Sequence, residues 1–150
     1  MSARRQRQMC IRDSSYIGRW VNLGAGTTTS NLKNNYSFVK LVTDSETVQT
    51  GRQFLGSMIG DYVKTAVGTV LNCGTSVGMG SSLFQLDFNK KYYRSFSWGG
   101  QENERYDFEK FIAASKKMMA RRDVVLSQNQ IDLYRFIYNQ TLKHEQKVSF

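Results

Sequence analysis

The sequence contains few of the residues from which metal sites and nucleophilic active sites are built. Its 150 residues include two cysteines and one histidine. Cys10 and Cys73 lie far apart and outside any metal-ligand spacing, which excludes a disulfide framework and a zinc site. The lone histidine, His144, and the lack of a phosphate-loop glycine signature exclude a nucleophilic triad and a nucleotide-binding loop. The sequence therefore predicts no metal site.

Long apolar runs are also missing from the sequence. No stretch approaches the roughly eighteen consecutive apolar residues that a membrane span needs, and residues 1–13 are too polar to form a signal peptide. An apolar content of 40% in 150 residues without a Gly/Ser linker predicts one domain with a real core. We therefore expect a cytoplasmic protein with no membrane partner.

Positive charge is in excess, with a net charge of +9. In residues 1–13, four arginines outweigh one aspartate by three, which leaves +6 for the remainder. Those remaining basic residues are interspersed with acids and fall partly on a predicted helix, which favours a solvated face over a nucleic-acid site. The segment from Arg4 to Ser14 resembles a translated sequencing adaptor, so we interpret residues 1–14 as a non-native leader.

The main positive feature is a repeat of six residues. The residue four after each lead is Ser, Thr or Val, and glycine often follows the lead, where it is expected to permit turn conformations. Period six fits neither a helix nor an alternating strand; it predicts hexapeptide repeats in a parallel β-helix, with three hexads per coil. The lead positions are Ile17, Leu23, Thr29, Gln53, Ile59, Thr65, Leu71, Val77 and Leu83. The positions four later are Val21, Thr27, Ser57, Val63, Thr69, Thr75 and Ser81.

Other segments interrupt or follow this repeat. Residues 34–52 predict an inserted β-hairpin, so the β-helix occupies residues 15–88 with this insertion. An aromatic linker is expected at residues 89–103. Residues 104–150 predict a helical extension, with one helix over about 104–122 and a second that begins at a Ser127/Gln130 capping box and ends near Leu142. The predicted fold is mainly β, with a two-helix extension at its carboxyl end.

Two stretches carry a resemblance to a known family: VNLGAGTTTSNL from Val21, and FVKLV followed by TGRQFLGSMIGDYVKTAVGT. They resemble the acetyltransferase half of bifunctional glucosamine-1-phosphate acetyltransferase/N-acetylglucosamine-1-phosphate uridyltransferases. They are still more similar to archaeal and Bacteroidetes-type sugar-1-phosphate nucleotidyltransferases. The similarity spans Tyr16 to Leu83, and FSWGG with its trailing helices resembles the Bacteroidetes-type tail. The chain thus looks like a C-terminal fragment of such an enzyme.

The resemblance implies a left-handed β-helix that forms a homotrimer with active sites between neighbouring subunits. It also implies transfer of an acetyl group from acetyl-CoA to the amine of a hexosamine 1-phosphate. Magnesium would serve only a nucleotidyltransferase domain that this chain lacks. The residues implied to bind the sugar phosphate are Asn22, Asn31 and Lys40, and those implied to bind acetyl-CoA are Ala25, Gly26, Ser57, Cys73, Gly74 and Thr75.

The sequence departs from the family pattern at the catalytic base. The family's general-base histidine falls at Gln8 and a neighbouring aromatic residue at Ile11, and Ser37 stands where archaeal relatives have a second lysine. Since general-base catalysis contributes about 10²- to 10⁴-fold, this chain is expected to have little activity. Three alternatives stay open: a non-catalytic trimerisation or regulatory module, an RNA-binding solenoid, and a structural role for Asn22 and Asn31 at solenoid corners.

Overall fold

The computed structural model describes residues 14–84, 90–101 and 104–148, and the chain divides into two compact units, residues 1–104 and 105–150. The first unit is built from short strands and the second from helices. The helices are α1 (Phe108–Ala120) and α2 (Gln128–Val148). The strands are β1 (Tyr16–Ile17), β2 (Thr28–Thr29), β3 (Lys40–Val42), β4 (Thr47–Gln49), β5 (Met58–Ile59), β6 (Lys64–Thr65), β7 (Val70–Leu71), β8 (Ser76–Val77), β9 (Ser82–Leu83), β10 (Tyr92–Tyr93) and β11 (Trp98–Gly99).

Parallel pairing joins the strands of the first unit into several small sheets. Their strand orders are β1-β5-β8-β10, β6-β9-β11 and β2-β7, while β3 and β4 pair in antiparallel fashion. Met58 pairs with Ser76 and Lys64 pairs with Ser82, in both cases three hexads further along the chain. Since three hexads are expected to make one coil, successive layers repeat at the predicted spacing. The arrangement is compatible with a β-helix-like fold.

The interior of this unit is filled by the lead residues and by the small residues four positions later. Four of the nine leads, Ile59, Leu71, Val77 and Leu83, are buried aliphatic side chains, and each such burial contributes about 1.5–3 kcal/mol. Two of the buried hydroxyls form local hydrogen bonds: Thr69 donates to the Ala66 carbonyl at 2.8 Å and Thr75 donates to the Asn72 carbonyl at 2.7 Å. Ser and Thr suit this position because a carbonyl three residues earlier accepts their proton.

The glycines that follow lead positions serve close packing between layers. Gly18, Gly60 and Gly78 have no positive φ angle, so glycine is not needed there to supply left-handed backbone. A Cβ atom on Gly60 would lie 2.8 Å from the Met79 nitrogen, and one on Gly78 would lie 2.6 Å from the Ser95 Cα. The backbone of the next layer occupies the space that a side chain would need.

The aromatic segment expected as a linker contains two further strands of the stack. β10 pairs with β8 and β11 pairs with β9, both in parallel, at a spacing slightly shorter than three hexads. Tyr93 stands beside Val77 in this register and is 1% exposed. The six-residue pattern misses these strands because the spacing is shorter and an aromatic ring takes the place of an aliphatic lead.

The interruption of the repeat contains the β3–β4 hairpin. Lys40 lies opposite Gln49, and an antiparallel bridge between Leu32 and Phe54 closes the base. The layers on either side stay in register, since Ile17 pairs with Ile59 and both are lead positions. The stack therefore continues past the hairpin without a shift.

The helices of the second unit begin at side-chain caps. Asp107 caps α1 by accepting the N–H of Lys110 at 2.9 Å, which places the start at Phe108, slightly later than expected. The predicted capping box is confirmed: the N–H of Ser127 donates to Gln130 Oε1 at 3.0 Å, and the N–H of Gln130 donates to Ser127 Oγ at 3.3 Å.

Aromatic side chains dominate the contact between α1 and α2. The ring centroids of Phe108 and Tyr138 are 5.2 Å apart, and those of Phe111 and Tyr134 are 6.2 Å apart. Such offset and edge-on ring pairs add about 0.5–1.5 kcal/mol to the burial of their area. Neither helix, over the residues that the structure describes, is long and apolar enough to cross a membrane.

Candidate functional site

Asn22 lies on the outer surface of the strand unit. Its N–H donates to the Val63 carbonyl at 2.9 Å, and it forms a parallel bridge with Lys64. The following residue, Leu23, packs against the core, so strand alternation turns the Asn22 side chain outward, where it is exposed. The amide of Asn22 is therefore accessible to a ligand.

The turn at Ala25 and Gly26 presents exposed backbone next to Asn22. Gly26 has a φ of +75°, in the left-handed region that favours glycine, and both residues are exposed. The Ala25 carbonyl accepts the N–H of Gly68 at 2.8 Å, which ties the turn to the next layer. A Cβ atom on Gly24 would lie 2.6 Å from the Val67 nitrogen, so glycine is required there. The turn is both accessible and held in place.

The corners of left-handed backbone are not at the two asparagines. Neither Asn22 nor Asn31 has a positive φ angle, whereas Trp20, Tyr62 and Phe96 have φ angles of 57°, 62° and 61°. These residues occupy equivalent positions in their layers, with Gly80 (φ 71°) in the layer between Tyr62 and Phe96. The N–H groups of Tyr62 and Phe96 donate to carbonyls of the preceding layer, which helps to offset the roughly 1–2 kcal/mol that this conformation costs. The backbone at Asn22 and Asn31 imposes no requirement that asparagine alone would meet.

Asn31 and Lys40 belong to the insertion. Asn31 is half-buried at its base, and its main-chain carbonyl accepts the N–H of Leu55 at 2.9 Å. Lys40 begins β3, and its side chain is exposed. Within the described ranges, no hydrogen bond joins the side chain of Lys40 or of Asn22 to another predicted site residue. The structure thus keeps the predicted acceptor-binding residues on separate segments.

The hairpin packs against the turn at Cys73 and Gly74. Val39 is fully buried in an apolar cluster with Leu55 and Cys73. A Cβ atom on Gly74 would lie 2.6 Å from Val39 Cγ1, and the Lys40 carbonyl is also in contact with that position. Lys40 and Gly74, which the sequence assigns to different ligands, are therefore brought together by backbone contact.

Three of the residues expected to bind acetyl-CoA have buried side chains. Ser57, Cys73 and Thr75 are at most 1% exposed. The Cys73 carbonyl accepts a hydrogen bond from the ammonium of Lys91, whose Nζ lies 3.8 Å from Cys73 Sγ, and the hydroxyl of Ser57 is buried without a hydrogen-bond partner in the described structure. A ligand on the outer surface would meet backbone atoms at these positions.

Lys64 is a candidate that the sequence analysis did not single out. It stands immediately before the lead residue Thr65, as Asn22 stands before Leu23, and it pairs with Asn22 across the sheet. Burial lowers the pKa of its ammonium below the ordinary value. Inspection of the residue before each lead would have found it, because those positions all face outward.

Comparison with known proteins gives one informative match. No protein-family model matches the chain. The chain is 34% identical over 64 residues to a protein of Sulfurisphaera tokodaii named bifunctional sugar-1-phosphate nucleotidylyltransferase/acetyltransferase. The match covers 43% of this chain and spans only 16% of the length of that relative. The chain is therefore similar, over less than half of its length, to part of a transferase.

The described outer surface of the strand unit offers groups suited to ligand binding. Asn22 offers an amide, the turn at Ala25 and Gly26 offers backbone groups, and Lys40 and Lys64 offer ammonium groups that suit phosphate oxygens. Among the described residues, no group of three or more His, Cys, Asp and Glu side chains is arranged to hold a metal ion.

Proposed function

We propose that the strand unit is the left-handed β-helix acetyltransferase domain of a sugar-1-phosphate nucleotidyltransferase. In this proposal it binds acetyl-CoA and a hexosamine 1-phosphate and acts as a homotrimer. The identity of 34% over 64 residues to a relative named for both transferase activities carries the proposal. The exposure of Asn22, Ala25 and Gly26 on adjoining positions supports it.

The proposed reaction assigns a binding role to each exposed residue. Asn22 and Asn31 would contact the sugar phosphate, Lys40 would bind its phosphate group through a charge-assisted hydrogen bond, and the Ala25–Gly26 backbone would meet acetyl-CoA. The free amine would attack the thioester carbonyl and form the N–C bond while the C–S bond breaks. The CoA thiolate would leave and take up the proton that the acetylated nitrogen loses. An ammonium must first lose a proton, and residues 14–84 contain no histidine to accept it.

The test measures binding and turnover separately. Calorimetry with acetyl-CoA and with glucosamine 1-phosphate should detect binding to the purified chain, and a thiol-release assay should detect little or no turnover. Asn22→Ala should lower the affinity for glucosamine 1-phosphate about tenfold, as expected for loss of a hydrogen bond to a charged or polar ligand. Asn139→Ala, an exposed asparagine on α2, is the matched control. Failure of both ligands to bind would refute the proposal.

The second candidate function is a non-catalytic trimerisation or regulatory module. The position expected for the base is Gln8, which lies outside the described residues, and the one histidine of the chain is His144. Light scattering separates the two candidates when it is combined with the binding data. A trimer that binds neither acetyl-CoA nor glucosamine 1-phosphate would favour the module, whereas ligand binding would favour the acetyltransferase domain.

A further inference from the structure

One outward-facing row of side chains crosses four neighbouring backbone segments of the strand unit. Asn22 bridges to Lys64, Lys64 pairs with Ser82, and Ser82 pairs with Trp98. We call these four residues the Lys64 row. Neighbouring strands lie about 4.8 Å apart, so Lys64 has a polar neighbour on each side within reach of one bound group.

Burial and alternation place the whole row on one face. Each member directly precedes a residue that is more buried than itself. These following residues are Leu23, Thr65, Leu83 and Gly99. Because successive side chains of a strand point to opposite faces, the four members share the outer face. A ligand on this face would contact neighbouring members of the row without entering the core.

Lys64 is half-buried, and its ammonium has no hydrogen-bond or ion-pair partner among the described residues. The other half-buried lysines of the described structure behave differently, since each donates to a backbone carbonyl: Lys33 to Phe38 at 2.8 Å, Lys90 to Gly100 at 3.0 Å, and Lys91 to Cys73. A partly desolvated charge without a partner is unfavourable, which is why such charges are normally paired.

A surface lysine whose stem lies along apolar area would also be half-buried, with its ammonium in water. In Lys64, burial lowers the pKa of the ammonium below its ordinary value, which favours partial desolvation of the charged end over this alternative. Partly desolvated, unpaired cationic groups of this kind concentrate at binding sites.

We propose that Lys64 is a phosphate-binding residue, and that its ammonium, together with the Asn22 amide and the Ser82 hydroxyl, binds a phosphate group lying across the Lys64 row. The inference deepens the proposed function and rests on it for the choice of ligands. The phosphate belongs either to the hexosamine 1-phosphate or to the pyrophosphate of CoA. The row offers donors to both, and a lysine binds phosphate as a point charge without fixing its orientation.

The experiment measures the affinity of three probes by calorimetry: inorganic pyrophosphate, CoA and glucosamine 1-phosphate. We compare the wild-type chain with Lys64→Gln, Lys64→Arg and Lys116→Gln. Lys116 is an exposed lysine on α1, so its substitution removes the same charge elsewhere. Lys64→Gln should lower the affinity for at least one probe about tenfold. Lys64→Arg should keep most of that affinity, and Lys116→Gln should leave it unchanged.

The pattern of losses identifies the ligand. A loss confined to CoA assigns the row to the acyl donor, and a loss confined to glucosamine 1-phosphate assigns it to the acceptor. If pyrophosphate alone binds, and does so through Lys64, the inference stands while the proposed function fails. Equal affinities in the wild type and Lys64→Gln would overturn the inference, as would a wild-type chain that binds none of the probes at millimolar concentration.

A thermal melt distinguishes a binding role from a structural one. Lys64→Met keeps the apolar stem and removes the charge, so its Tm should equal or exceed that of the wild type while phosphate binding is lost. A Tm lowered in both Lys64→Met and Lys64→Arg would show that the lysine supports the fold, and would overturn the inference.

Discussion

The strand unit puts a few side-chain types at fixed positions in every layer, whereas the helical unit fills its interior with aromatic rings that each meet different neighbours. In the first unit, glycine, hydroxyl and aliphatic positions recur with period six. In the second unit, the contact between the rings of Phe111 and Tyr134 has no repeated counterpart in the sequence pattern. In a repeat, the position of a residue within the repeat therefore predicts its environment. In a helix pair, the sequence predicts which residues form the buried stripe but does not predict which rings contact one another.

The largest effect is expected in the helical unit. Phe111 is 1% exposed, and its ring centroid lies 6.2 Å from those of both Phe108 and Tyr134. Phe111→Ala should lower the free energy of unfolding of this unit by about 4 kcal/mol, because the cavity cannot close around a missing ring. Hydrogen exchange of the α1 amides measures it. Leu133→Ala, at a side chain 54% exposed, is the control and should cost under about 0.5 kcal/mol.

A smaller effect is expected in the strand unit, where two glycine substitutions distinguish the cost of close packing from the cost of backbone conformation. Gly78→Ala would press a Cβ atom against the Ser95 backbone and should cost about 3 kcal/mol. Gly68 has a φ of +73° and open space around it, so Gly68→Ala should cost only about 1 kcal/mol. Urea denaturation gives both values. Equal costs for the two substitutions would mean that layer spacing is not the constraint on Gly78.

The third comparison concerns two buried hydroxyls at equivalent positions. Thr75 donates to the Asn72 carbonyl at 2.7 Å, and Thr75→Val should cost about 1 kcal/mol because this hydrogen bond is lost while the carbonyl keeps the backbone N–H of Thr75 at 3.2 Å. Ser57 is buried with no hydrogen-bond partner for its hydroxyl among the described residues, so Ser57→Ala should raise the free energy of unfolding by up to about 1 kcal/mol. Destabilisation by Ser57→Ala would contradict the description of its hydroxyl as unsatisfied.

The smallest effect is a pH dependence at the edge strand β10. Burial, and secondarily the carboxylate of Asp44, raises the pKa of Tyr92 to about 12 from an ordinary value of 10.0, while Arg94 opposes the shift. The folded state favours the neutral phenol, so its contribution to stability is present below pH 10 and is lost as the pH rises to about 12. Tyr92→Phe should remove that loss.

Absorbance titration checks the same residue directly. The difference between the wild type and Tyr92→Phe should show one phenol that ionises near pH 12. Asp44→Asn should bring that ionisation to a lower pH, because one of the two causes of the shift is removed. An unchanged titration in Asp44→Asn would show that the carboxylate of Asp44 does not influence the pKa of Tyr92.

The sequence was most informative where local spacing determines the structure. Period six identified the inward-facing positions, and the distance from Ser127 to Gln130 identified the capping box. The repeat missed β10 and β11, whose layers are spaced more closely in sequence than three hexads. The repeat does not identify Lys64 either, because its pattern consists of the inward-facing positions of each strand, whereas the groups accessible to a ligand lie on the outer face.

The candidate site was predictable only in part, because resemblance to a family gives positions in the sequence and not the directions of side chains. Resemblance named Asn22, Ala25 and Gly26, and these residues do lie exposed on adjoining positions. Resemblance also named Ser57 and Cys73, whose side chains are buried. A family pattern gives positions along the chain, but whether a residue offers its side chain or its backbone depends on which way the strand faces.

The unbroken register across the insertion bears on the surface at the hairpin. The layers that the hairpin separates in sequence, β1 and β5, keep the same alignment as the directly successive layers β5 and β8, so the length of the hairpin is not fixed by the stack. A substitution or a change of length between Leu32 and Phe54 can therefore remodel the surface at the hairpin while the alignment of the layers on either side of it stays the same.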